Sequence, residues 1–292
     1  MDDIIIRGLL ADSTVKIMAI SGTELVEKAR ETHGLSRVCT AALGRTLMMT
    51  SMMGAQLKNA DERVTAILKG GGEAGNIVCT ADWTGRVKGY VENPGLELPP
   101  APNGKLDVAL AVGWFGDLTV IRDMGLKDPY VGQTDLQTGE IAEDLTYYFA
   151  VSEQVPSVVG LGVLMNRDNT VRQAGGFIVQ LMPFAEEEPI SKLEENIKHL
   201  ASVTTMLDAG KTPEEMLGVL LEGMDLEVTD TLPVEFSCNC SKDRVRKALI
   251  SIGREELQSM IDDGKEIEVN CHFCDKKYVF GVDELKEMVA SK

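Results

Sequence analysis

Two short runs, 236-FSCNCSKDR-244 and 269-VNCHFCDKKYVF-280, decide how the rest of this chain is to be read. Cys238 and Cys240 stand one residue apart, Cys271 and Cys274 two apart, and thirty residues separate the pairs. Four of the six cysteines in the chain are gathered here. Zinc takes four thiolates in a closed tetrahedron, and a pair of close cysteines lets one short backbone knuckle supply two of them. A CxxC pair is equally the usual dithiol redox motif. The CxC ring formed on oxidation would be small and strained, and so comparatively easy to reduce. His272, inside CHFC, could replace a thiolate, but four cysteines complete the set without it.

Working outward, the preceding segment is rich in helix signals. Pro183 to Ile190 (PFAEEEPI) is a charged, Pro-bounded boundary. Ser191 with Glu194 reads as a capping box, with Leu193, Ile197 and Leu200 on one face behind it. Thr212, Pro213 and Glu215 repeat the device, with Pro at the first helical position. This stretch is either a helical hairpin packed on the core or a linker that masks apolar surface in one state and exposes it in another.

Nearer the start, 4-IIIRGLL-10 and 14-TVKIMAI-20, split by Ala-Asp-Ser, read as a β-hairpin. A helix over 21–34 stops at Gly34, and a second over 36–58 starts at Ser36. The second is apolar nearly all round and carries Met48, Met49, Met52 and Met53, as a buried helix would. Gly70, Gly72 and Gly75 satisfy GxGxxG, but a dinucleotide site needs a helix next, and NIVCTADW reads as strand. These glycines are therefore assigned to turns. After a Pro/Gly-rich loop over 95–106, strands are expected at DVALAV, DLTVIRDM and PYVGQTDL, a helix over 138–154, and a hairpin over 157–182. Cys39 and Cys79 fall in apolar segments as small core residues. HExxH, GxSxG and GxxxxGK[ST] do not occur, and no enzyme site is visible.

Composition narrows the function classes. The 292 residues are 44% hydrophobic and 26% charged, ordinary for a globular protein. Twenty-nine basic residues against forty-six acidic ones leave −17, which repels phosphate backbones and argues against nucleic acid as a partner. The N-terminal MDDIIIRGLL lacks the basic start of a signal peptide, and no apolar run reaches the length of a membrane span. A cytoplasmic protein is expected, in a compartment where thiols stay reduced and clustered cysteines mean metal or redox chemistry.

With these residues placed, the C-terminal stretch resembles the redox switch of the thirty-three-kilodalton heat-shock chaperonins, a redox-regulated family. The likeness extends through 147-YYFAVSEQVPS-157, 175-GGFIVQLMP-183, 113-GWFGDLTVIRDMG-125 and 87-VKGYVENPG-95, and covers essentially the whole chain. It implies an α+β fold: a layered core of mixed or antiparallel sheets with helices (1–182), a helical linker (183–232) and a small zinc-binding redox-switch domain (233–292). It implies that Cys238, Cys240, Cys271 and Cys274 hold one Zn2+ per chain when reduced. It implies that oxidation pairs Cys238 with Cys240 and Cys271 with Cys274, releases the metal and switches on an ATP-independent holdase. Its partners would be unfolding client proteins and, when oxidised, a second copy in a homodimer. No catalysis is implied. From the residues alone, Lys242, Arg244, Lys276 and Lys277 are expected to steady the negative sulfurs. A zinc-ribbon regulator or nucleic-acid adaptor and a dithiol oxidoreductase remain rival readings, although the strand expected at Tyr278–Phe280 speaks against the second.

Overall fold

The structure, a computed structural model, describes residues 3–10, 14–183, 185 and 187–290. The chain opens with β1 (Ile4–Leu10), β2 (Val15–Ser21), α1 (Thr23–His33) and α2 (Arg37–Gly54). Strands β3 (Arg63–Lys69), β4 (Ile77–Asp82) and β5 (Val87–Val91) follow, then a short α3 (Val108–Val112). Next come β6 (Asp117–Asp123), β7 (Tyr130–Asp135), α4 (Ala142–Val151), β8 (Ser157–Met165) and β9 (Val171–Leu181). Helices α5 (Glu187–Lys198), α6 (Val203–Asp208) and α7 (Pro213–Leu220) lead into β10 (Leu226–Pro233). The last elements are α8 (Lys242–Ile252), α9 (Arg254–Asp262), β11 (Ile267–Asn270), β12 (Lys277–Phe280) and α10 (Val282–Ala290). The chain divides into two compact units, Met1–Ser237 and Cys238–Lys292.

In the first unit two five-stranded sheets enclose α2. Their orders are β10-β1-β2-β9-β8 and β5-β4-β3-β6-β7, with antiparallel pairing between all neighbours. Helix α2 touches strands of both sheets, so it has no solvent side to reserve for polar residues. Met48, Met49, Met52 and Met53 are accordingly buried among Met18, Ile20, Val64, Ile77 and Cys79, as the unbroken apolar pattern requires. Ser36 caps the helix, its Oγ accepting from the Cys39 N–H at 3.3 Å. Gly34 ends α1 in the left-handed region at φ 59°.

The first sheet is buried on both faces. Alternation along β1, β2 and β9 sends Ile5, Met18, Ile20 and Ile178 toward α2, and Ile6, Ile17, Ala19, Phe177 and Val179 to the opposite side. There α5, α6 and α7 cover them with Leu193, Val203, Met206, Leu207, Met216, Leu217 and Leu220. The expected α+β architecture of layered antiparallel sheets and helices is what the chain adopts.

Several local expectations need correction. DVALAV is helix α3, not strand: Asp107 accepts from the Leu110 N–H at 3.0 Å, and Gly113 at φ 77° ends the turn. Ser191 does not cap α5, which is already under way at Glu187 with Pro189 tolerated in its first turn. The Thr212 box does form, with Oγ1 accepting from Glu215 N–H at 3.2 Å and Glu215 Oε2 accepting from Thr212 N–H at 2.9 Å. The segment read as a helical linker ends in a strand, β10, which pairs with the otherwise open edge of β1. Gly70 and Gly72 lie against the end of α3, where a Cβ on Gly70 would come 2.2 Å from the Val112 carbonyl oxygen. The expected turn at 11–13 lies outside the described residues, as do positions 184 and 186 of the expected boundary. No helix among the described residues is long and apolar enough to cross a membrane.

Candidate metal centre

The second unit is built on a thin core: Leu249, Leu257, Phe280, Leu285 and Met288, with partly buried neighbours such as Val245, Ile267 and Tyr278. Strands β11 and β12 form a hairpin whose turn is the CxxC knuckle. Within it Cys271 N–H donates to the Lys276 carbonyl at 2.9 Å, and Asp275 N–H to the Cys271 carbonyl at 2.8 Å. Asp275 takes a left-handed φ of 54°, which a short polar side chain tolerates. The CxC pair lies just before α8, whose N-cap is Ser241, its Oγ accepting from Arg244 N–H at 3.2 Å. Cys240 is thus placed at the positive end of a helix, which favours a thiolate.

The two knuckles bring all four sulfurs within 4.8 Å of one another. Cys238 and Cys271 are 3.8 Å apart at sulfur, Cys240 and Cys274 3.3 Å, and all four are half-buried and outside any disulfide. A zinc tetrathiolate with Zn–S bonds of about 2.3 Å has S···S edges of about 3.8 Å. The cluster fits that tetrahedron with small adjustments, and its soft all-sulfur donor set suits zinc. His272 is exposed and outside the cluster.

Two donors reach sulfur. Tyr278 Oη donates to Cys240 Sγ at 3.0 Å, and the Lys276 backbone N–H bonds the Cys274 sulfur. Burial pushes the Cys240 thiol up, but hydrogen bonds from Tyr278 and then from the neighbouring thiols outweigh it and bring the group down to about 7. Burial holds Cys274 well above the usual thiol range. Tyr278, donating its hydrogen bond to the Cys240 sulfur, is pushed up to about 12. Three of the four basic side chains expected to serve the sulfurs go elsewhere. Lys242 pairs with Glu284 at 2.7 Å and lies over the Phe280 ring, Lys277 pairs with Glu268 at 2.7 Å, and Arg244 donates to the Asn239 carbonyl at 3.2 Å. Tyr278 was legible only as a strand residue, since nothing in the spacing says which strand side chain reaches a sulfur 38 residues away.

The other cysteines lie in the first unit and belong to its core. Cys39 donates to the Asn93 carbonyl at 3.2 Å, and burial raises both it and Cys79, which is buried beside Gly89. Strand β12 follows the CxxC directly, so that pair does not open a helix as a dithiol oxidoreductase motif usually does.

Comparison with known proteins decides between the remaining readings. The family model described as Hsp33 protein matches residues 3–281. The chain belongs to the Hsp33 family. A 33 kDa chaperonin of Lachnoclostridium phytofermentans is 57% identical over 99% of both chains, and one of Clostridioides difficile 51% identical over 99% of both. The crystal structure of a 33 kDa chaperonin, a heat shock protein 33 homolog from Thermotoga maritima, superposes with a TM-score of 0.91. It is 38% identical and covers 100% of this chain and 99% of its own. The family is one of redox-regulated chaperones, not enzymes, and this chain carries a four-cysteine cluster of the kind a zinc site needs.

Proposed function

We propose that Cys238, Cys240, Cys271 and Cys274 hold one Zn2+ per chain in the reduced protein, and that their oxidation converts an idle chaperone into a holdase for unfolding clients. The observation that carries this is the convergence of four thiols, from two separate stretches, on a unit with little core of its own. Bound there, the metal supplies a crosslink of about 10–16 kcal/mol between the two stretches, comparable to the whole stability of a small domain. The knuckles hold the sulfurs together, and a bound metal would keep them as thiolates, ready for an oxidant. A peroxide accepts a sulfur lone pair: an S–O bond forms, the O–O bond breaks, and the departing oxygen leaves as water. A neighbouring sulfur then attacks, an S–S bond forms, and the second oxygen leaves as water. Each disulfide withdraws two ligands.

All four sulfurs are close enough to pair in any combination, so proximity does not choose the partners. Loop closure favours Cys238–Cys240 and Cys271–Cys274, and crossed bonds would tether the two stretches and oppose unfolding. Without its crosslink the second unit loses its fold. The layer formed by α5–α7 over Ile6, Ile17, Phe177 and Val179 is then the cover whose displacement exposes an apolar sheet face to clients. The oxidised form works as a homodimer, without ATP, nucleic acid or membrane. The cytoplasm, where thiols rest reduced, is the compartment that gives such a switch its off state.

Zinc release and suppression of client aggregation, followed in parallel before and after peroxide, test the proposal. Peroxide should release about one zinc per chain as aggregation suppression appears, and peptide mapping should find mainly the two near-neighbour disulfides. A reduced, zinc-loaded protein that is fully active, or mainly crossed disulfides in the active form, would overturn it.

A further inference from the structure

Tyr278 is not one of the four ligands, yet its place is tightly set. In β12, Tyr278 and Phe280 turn toward the apolar cluster of the second unit while Lys277 and Val279 face outward. From the partly buried ring, Oη donates to Cys240 Sγ at 3.0 Å. The strand that follows the second cysteine pair is thereby bonded to a sulfur of the first. Groups that bond to ligand atoms from outside the ligand set orient them and tune their electron density.

We propose that the Tyr278 hydroxyl is a positioning residue of the redox switch: by donating to the Cys240 sulfur it slows peroxide attack there and raises the oxidant exposure the switch requires. This rests on the reading of the four cysteines as a zinc-holding, oxidant-responsive set. Oxidation begins when a sulfur lone pair attacks a peroxide oxygen. A hydrogen bond to that sulfur lowers its electron density and occupies part of the approach to it, so attack is slower while the bond holds. The balance of the reaction is unaffected. Two sulfurs still give up two electrons, one peroxide is reduced to two waters, and one S–S bond forms. Only the barrier to the first S–O bond changes. The Lys276 backbone N–H plays the same part for Cys274 and cannot be removed by a side-chain substitution, which makes Tyr278 the testable member.

Tyr278→Phe keeps the ring in the cluster and removes only the donor. The experiment uses the full chain, reduced and zinc-loaded. It measures zinc stoichiometry, zinc release at fixed peroxide, and zinc loss to a chelator without peroxide. The expected result is unchanged stoichiometry, unchanged loss to chelator alone, and release under peroxide faster by about five- to tenfold. Equal peroxide rates in variant and wild type would overturn the inference while leaving the zinc switch standing. A variant that fails to load zinc, or that loses it to chelator as much faster as to peroxide, would assign the hydroxyl to holding the site together and overturn the kinetic role. A wild-type protein that keeps its zinc under peroxide would overturn the reading of the site, and the inference with it.

Discussion

Asp3 does for α1 what its own N-cap cannot. Gly22 occupies that position without a side chain, and the Asp3 carboxylate accepts from Thr23 N–H at 3.0 Å and Leu25 N–H at 2.7 Å. Burial pushes its pKa up despite those bonds. The folded value therefore lies above the unfolded 3.8, so the folded protein holds this proton more tightly. Asp3 favours folding most in acid, and that contribution is lost as pH rises through the raised value. Asp3→Ala should cost about 1–2 kcal/mol, as losing a cap does. Asp3→Asn, which keeps an acceptor, should cost less and should lack this part of the pH dependence. Denaturant unfolding of the zinc-loaded protein across acidic pH checks both; equal losses for Ala and Asn would show that the cap is not at work. No local pattern announces such a residue, because it caps a helix whose first residue lies 20 positions on, beyond two strands. The four clustered cysteines were legible for the opposite reason: their grouping shows in spacing alone, although spacing left metal and dithiol chemistry both open.

Among elements, α2 carries the clearest conflict between propensity and packing. In an exposed helix Gly→Ala is worth about 1 kcal/mol in favour of alanine. At Gly54 a Cβ would lie 2.6 Å from the Asp82 carbonyl oxygen and 2.7 Å from the Ala81 side chain, so helix and β4 would have to part. Overpacking of that kind costs about 1–3 kcal/mol, and it should win. Gly54→Ala is expected to lower the thermal midpoint; a rise would mean that β4 yields easily. Burial of α2 could be read from its apolar pattern, since a helix between two sheets keeps no polar face. The identity of α3 could not, because five apolar residues fit strand or helix alike and only the Asp107 cap and the turn at Gly113 decide. Likewise β10 reads as the end of a linker until β1 is seen to offer it an edge.

For the whole molecule, the division after Ser237 gives the place to cut. Removing residues 238–292 deletes all four clustered cysteines and leaves β10 paired in its sheet. The shortened chain should suppress client aggregation equally in reductant and oxidant, with an activity near that of the oxidised full chain. A folded, dimerisation-competent fragment that is inert in both would show that the second unit is not an inhibitor. The two ends of the α5–α7 cover carry a further consequence. One end continues from β9 and the other enters β10, and both strands belong to the sheet that the cover overlies. A cover displaced from that face is still leashed to it on both sides, at an effective concentration on the order of millimolar. If clients bind that face as proposed, they would compete with a rival that never diffuses away. Weak hold and ready hand-over follow from the leash itself, and once the sulfurs are reduced the face can be reclaimed without a search.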